Sequence, residues 1–177
     1  MLIEMVQSDG VQAAAAAFWS ADWAWGLPLI VLTVVIHVLC LGFINQRIVR
    51  TSGWILQHFR RDTAFVVVMG IATMMATGLH GIEAFMWATA YRWLGALPDR
   101  KSAMLYSLSA ITSYGHTSLD LESRWQLLGA LEALNGWLLF GLTTAFLFSM
   151  IDKVWLLGGR QTPERARDSV RAATLVR

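Results

Sequence analysis

The stretch SAMLYSLSAITSYGHT, residues 102–117, decides the fold class. Its first part, 102–112, is apolar enough for a membrane interior and free of charge. A helix of about a dozen residues is roughly 18 Å long, too short for a hydrocarbon layer of about 30 Å, and such a length predicts a re-entrant segment. Asp99, directly after Pro98, is placed to cap its N-terminus. The stretch then breaks into Ser113-Tyr114-Gly115-His116-Thr117-Ser118, a run that no helix favours. Irregular backbone at membrane depth survives only where protein or water satisfies its polar groups.

On either side lie windows long enough to cross a bilayer. Residues 63–94 precede it, interrupted by His80 and Glu83, and residues 125–151 follow it, containing Glu132 and Asn135. A further window, 25–48, has His37 as its only titratable group before Arg47 apart from Cys40. The composition agrees: 56% of the 177 residues are hydrophobic and only 15% are charged, against roughly 25% charged in soluble domains. The expected class is an all-α membrane protein with three transmembrane helices and, between the last two, a re-entrant helix and irregular loop. A half-helix followed by a polar strand supplies the parts of an ion pathway.

Charge placement sets the expected orientation. The segment before the first span holds Glu4, Asp9 and Asp22 and no base, which also argues against a cleaved signal peptide. Between the first two spans lie Arg47, Arg50, Arg60 and Arg61 against Asp62. After the third span, Lys153, Arg160, Arg165, Arg167, Arg171 and Arg177 outnumber three acids. The positive-inside rule then puts the first loop and the tail in the cytoplasm and the N-terminus outside, in a multi-pass protein of the inner (plasma) membrane. Trp19, Trp23, Trp25, Trp93 and Trp125 fall at the outer boundary, and Trp54 and Trp155 near the inner one. Residues 11–18, with their run of alanines, predict a short helix that leads into the membrane or lies along its surface. The net charge of +2 implies no nucleic-acid partner, membrane lipid is the expected surroundings, and the tail either is solvated or touches anionic lipid. Cys40 is a lone apolar space-filler, and no internal repeat suggests an inverted-repeat transporter.

From His80 onward the chain resembles the pore domain of bacterial potassium channels of the two-helix, pore-loop superfamily. The matching stretches are HGIEAFMWATAYRWLGALPD (80–99), KSAMLYSLSAIT (101–112) and RWQLLGALEALNGWLLFGLTTAFLF (124–148). The resemblance implies a pore domain over 62–152, with an outer helix at 63–95, a pore helix at 100–112, a filter-like loop at 112–118 and an inner helix at 125–152. Residues 1–22 are then an outer N-terminal segment, 23–61 an added span with its basic loop, and 153–177 a basic cytoplasmic tail. It also implies a homotetramer around one axis, a hinge at Gly136, and Thr143 and Thr144 facing the cavity or a neighbouring subunit. The family's filter reads Thr-Val-Gly-Tyr-Gly-Asp. This chain has Thr112-Ser113-Tyr114-Gly115-His116-Thr117, one residue shorter, with one glycine and His116 in place of the second. A non-glycine residue resists the left-handed conformations such a carbonyl ladder needs.

The expected function is therefore cation passage with altered or lost potassium selectivity. The alternatives are a non-conducting structural or regulatory subunit, including one that assembles with a complete-filter homologue, and a proton-linked transporter using His80, Glu83 and Glu132. A monovalent cation is the only cofactor expected, with no metal ligands and no catalytic groups, since no nucleophile–base pair or metal triad is evident. His116 either titrates in the ion path or bonds to nearby backbone. Asp120 and Glu122 either concentrate cations or belong to a solvated loop. His80 and Glu83, three apart on one helix face, are expected to brace the outer helix against the pore helix. Glu132 and Asn135 line the vestibule or bond the back of the loop, and burial demands that Glu132 be hydrogen-bonded or protonated. His37 is expected to make a polar contact between helices.

Overall fold

The computed structural model describes the backbone of residues 2–58, 60–115 and 119–175, with side chains at 19–51, 60, 62–115 and 119–153. It is all-helical: α1 (Leu2–His58), α2 (Arg61–Trp93), α3 (Arg100–Ile111), a 3-10 turn (Ser123–Trp125) and α4 (Gln126–Leu175). Three stretches are long and apolar enough to cross a membrane, Trp19–Thr51, Asp62–Trp93 and Ser123–Lys153. They match the three windows read from the sequence. Val31, Leu39, Val66, Met74, Phe85 and Phe148 on these stretches are more than half exposed, as apolar side chains are when lipid is their solvent. The chain suits a multi-pass membrane protein.

Two boundaries differ from the sequence reading. The N-terminal residues do not form a separate element, because α1 runs unbroken from Leu2 through the first span and past Pro28. Arg47 and Arg50 likewise lie on α1, and α2 already begins at Arg61, so the expected basic loop is almost wholly helical. The residues after the third span continue α4 to Leu175. Alanine-rich and Arg/Glu-rich sequences are good helix formers, and once the span has nucleated a helix each further residue adds a hydrogen bond at little cost.

The chain forms two compact units, and each takes segments from all three long helices. One comprises Met1–Val38 and Gly78–Gly141, the other Leu39–Thr77 and Leu142–Arg177. In the second unit, Ala64, Val68 and Ala72 are buried at intervals of four along α2, together with Leu41, Ile44 and Ile48 of α1 and Met150 of α4. Ala72 and buried Ala76, small residues at that spacing, let helices approach closely. Lys153 Nζ donates to Asn45 Oδ1 at 2.8 Å.

Among the described residues, the first unit holds the larger buried cluster. Trp87, Ala88 and Tyr91 of α2 pack with Ala103 of α3, Leu121, Trp125 of the 3-10 turn, and Leu128 at the start of α4. Ala21, Leu29 and Ile30 of α1 pack against the same cluster. One face of the short helix α3, with Ala103, Ser107, Ala110 and Ile111, is therefore buried, while Leu105 and Leu108 stay exposed. A second cluster, Ala84, Ile111 and Leu139, lies at the C-terminal end of α3 and is joined by Val34 of α1.

Candidate functional site

The short helix α3 is fixed at both ends by its own sequence. At the N-terminus, Asp99 is extended and its carboxylate accepts from the backbone N–H of Ser102 at 2.9 Å, the capping geometry expected from the sequence. That N–H holds the Asp99 carboxyl below the usual aspartate range. At the C-terminus, the N–H of Ser113 bonds to the Ala110 carbonyl and that of Tyr114 to the Ser109 carbonyl, both at 2.9 Å. The Thr112 hydroxyl donates to the Leu108 carbonyl at 2.6 Å. This is a Schellman closure, and it requires a left-handed residue just past the cap. Glycine usually fills that place, but here Ser113 does, at φ 54°. A non-glycine residue in this region stores about 1–3 kcal/mol of strain. The Ser113 hydroxyl accepts from Trp137 Nε1 at 3.0 Å, which ties the strained turn to α4.

Beyond the turn, Gly115 is again left-handed, at φ 83°. Thr112, Ser113, Tyr114 and Gly115 are all exposed, Tyr114 to 88%. His116 and Thr117, the remaining residues expected in a filter, lie outside the described residues.

The back of α3 is held by polar groups buried among apolar ones. Ser107, in the middle of α3, contacts the Ala84 carbonyl of α2 at 2.7 Å and also Oε1 of Glu132 on α4. The other Glu132 oxygen accepts from the Tyr91 hydroxyl at 2.6 Å. Ser107, Glu132 and Tyr91 are all fully buried. A serine has one hydroxyl hydrogen and cannot donate to both neighbours at once. A hydrogen on Glu132 Oε1 completes the chain, running Glu132 to Ser107 to the Ala84 carbonyl. The sequence reading expected Glu132 to be hydrogen-bonded, and its partners are now specific: one hydroxyl on each of α2 and α3.

Gly136 sits one turn along α4 from Glu132. A Cβ there would meet the carbonyl oxygen of Ile111 and lie 2.7 Å from its carbonyl carbon. The last residue of α3 therefore rests directly on α4, which any side chain at position 136 would prevent. The sequence reading gave Gly136 to a hinge, and close packing supplies a separate reason for glycine. Of the expected cavity residues, Thr143 is buried within the chain and Thr144 is exposed.

A second polar cluster joins the added first span to α2. Glu83 does not turn toward α3. Its Oε1 lies 2.7 Å from His37 Nδ1 on α1, and its Oε2 lies 3.3 Å from His80 Nδ1. The expected brace thus runs to the first span, while α3 is tied to α2 by Ser107. His37 and Glu83 are fully buried and His80 is about a quarter exposed. Four residues before His37 on α1, buried Thr33 accepts from Asn135 Nδ2 of α4 at 3.0 Å and donates to the Leu29 carbonyl. Buried Asp22 pairs with backbone at Leu128, in the first turn of α4, where the helix presents unsatisfied N–H groups.

Tyr91, Ser107 and Thr33 did not emerge from the sequence as site residues. Tyr91 and Ser107 lie 41 and 25 residues from Glu132, and nothing local announces the contact. The one available signal was a serine inside an apolar half-helix, which needs a partner once buried. Asp120 and Glu122 lie before the 3-10 turn, and exposed Glu122 pairs with Arg124 at 3.1 Å. Comparisons with protein-family models, with curated proteins and with solved structures give no match to this chain.

Proposed function

We propose that the chain is a channel-like membrane protein that passes monovalent cations with altered or lost potassium selectivity, assembled as a homotetramer. The observation that carries this reading is the mounting of α3. A helix too short to span is anchored from behind at Ser107, Glu132, Tyr91 and Gly136, while residues 112–115 just after it are exposed. Burying a polar network to hold a twelve-residue helix is costly unless the helix must be held accurately. Its C-terminal end carries the negative end of the helix dipole, which favours a cation. In this reading α3 is the re-entrant pore helix, it enters from the outer side, and residues 112–117 border the ion path. Exposed Tyr114, Trp137 and Phe140 then meet neighbouring subunits.

Loss of selectivity follows from the turn. The carbonyls of Ser109 and Ala110 are occupied by the N–H groups of Ser113 and Tyr114, and a loop with a single glycine cannot repeat the alternating backbone of a full carbonyl ladder. The same closure favours a second reading, a subunit that does not conduct alone and assembles with a complete-filter homologue.

Purified protein in liposomes, tested under potassium, sodium and proton gradients, decides between them. The expected result is comparable potassium and sodium flux. Absence of flux for all three ions sinks the first reading, and flux that appears only on co-reconstitution with a complete-filter channel subunit supports the second. Proton flux lost on changing His80 or Glu83 supports a proton-linked transporter instead. A monomer in detergent removes the axial pore from both.

A further inference from the structure

The cluster of His37, His80 and Glu83 has a property that a structural brace does not need. Each residue offers one ligand atom, and the three atoms lie within 4.8 Å of one another. The two imidazole rings are 5.2 Å apart between centroids, tilted by 45°. Both nitrogens therefore converge on one carboxylate, the oxygens of which are split between them.

We propose that His37, His80 and Glu83 form a binding site for a divalent first-row transition metal, with zinc as the ion that best suits the geometry. Two imidazoles and one carboxylate are the donor set such metals prefer, whereas calcium and magnesium ask for six or more oxygens. Metal–ligand bonds of about 2.0–2.2 Å set neighbouring ligand atoms somewhat over 3 Å apart. The His80–Glu83 separation of 3.3 Å already fits. His37 Nδ1 lies 2.7 Å from the other carboxylate oxygen, so the Glu83 carboxylate has to turn until one oxygen serves both rings, a small adjustment among three ligand atoms already within 4.8 Å of one another. Each ring binds through one nitrogen and keeps its hydrogen on the other. Three protein ligands leave a fourth position for water or an anion, and His80, the least buried of the three, marks the side from which the ion enters.

The consequence lies in the position of the ligands. His80 and Glu83 are one turn apart on α2, and His37 comes from α1, 43 residues earlier than His80 in the sequence numbering. A metal here staples the first span to the second. Imidazoles bind metal only when unprotonated, so acid releases the ion. None of this depends on ion passage through the 112–117 loop, so the site stands or falls separately from the proposed channel activity.

The test uses the full chain purified in detergent, stripped with a chelator, loaded with zinc, and desalted before elemental analysis. About one zinc per chain is expected at neutral pH, with cobalt giving the visible absorption bands of a tetrahedral site. His80→Asn changes the least buried ligand and tests the site with the smallest risk to folding. It is expected to weaken zinc binding at least tenfold, as are His37→Asn and Glu83→Gln where those variants still purify as the wild type does. A double variant, His58→Asn with His116→Asn, is expected to retain the metal. Zinc at background level in the wild type overturns the proposal. So does undiminished binding in His80→Asn, or loss of binding in the double variant, which would place the metal on the other histidines.

Discussion

Glu83 and Glu132 are both fully buried carboxylates in the same compact unit, one on α2 and one on α4, yet their surroundings differ in kind. Glu132 faces two hydroxyls, Ser107 and Tyr91, and through Ser107 a backbone carbonyl. Its partners are neutral and its oxygens are matched one to one. Glu83 faces two imidazoles and no hydroxyl among the described residues. A carboxyl group among hydroxyls forms a closed hydrogen-bond chain, which locks three helices in register. One between two imidazoles can exchange a hydrogen for a cation. Both are expensive to bury without partners, and the one unit satisfies them differently, with hydroxyls at Glu132 and imidazoles at Glu83.

The largest effects come from breaking the two carboxyls in parallel. Glu132→Ala strands the Tyr91 and Ser107 hydroxyls in an apolar core and is expected to cost about 3–5 kcal/mol, read as a large drop in the thermal unfolding midpoint in detergent. Glu132→Gln is expected to cost only about 1 kcal/mol, because an amide supplies one acceptor for Tyr91 and one donor for Ser107. At Glu83 the same conservative exchange puts an amide with one acceptor between two ring nitrogens, and about 2–3 kcal/mol is expected. Equal costs for Gln at the two positions would erase the distinction between them.

Next in size is the contact beside Glu132. Gly136→Ala brings a Cβ onto the Ile111 carbonyl, a backbone group that cannot rotate away, and about 1–3 kcal/mol is expected. If α3 is held chiefly by Glu132, Gly136→Ala and Glu132→Ala are non-additive when combined, since each loosens the same helix. The exposed side of α3 is expected to respond less. Gly115→Ala meets no neighbouring atom and changes only the φ 83° backbone, which costs about 1 kcal/mol. Its larger effect is on any ion flux measured in liposomes.

The contrast between the two carboxyls was only half legible in the sequence. The three long apolar stretches and the short α3 follow from length and composition, and the Asp99 cap follows from one residue in one place. An intramembrane carboxyl such as Glu132 announces that it must be satisfied, but not by whom, because Tyr91 and Ser107 sit on other helices. The pairing of Glu83 with His80 was visible as a three-residue spacing. Its pairing with His37 was not, since it depends on which face α1 turns inward. That face is visible only in retrospect: Asp22, Thr33 and His37 fall near whole-turn intervals on α1, and each contacts another helix. At the end of α3 the sequence predicted a break in the right place. It could not show that Ser113 would take a glycine conformation, a choice imposed by capping carbonyls and by Trp137.

Asp99 offers the smallest and cleanest comparison, a third carboxylate, on the helix that Ser107 and Glu132 hold, but fully exposed. Its carboxyl is held below the ordinary range by the Ser102 N–H. A folded-state value below the unfolded one means that the cap stabilises the protein above about pH 4, the ordinary aspartate value. That contribution disappears as the pH falls through the lower, folded-state value. Asp99→Ala is therefore expected to melt slightly below the wild type at neutral pH, with the two curves converging as the pH falls below the ordinary aspartate range. Solvent screening keeps the difference small. A gap that persisted at low pH would mean that position 99 acts through backbone conformation rather than through its charge, and α3 would then owe its position to the buried carboxyl behind it.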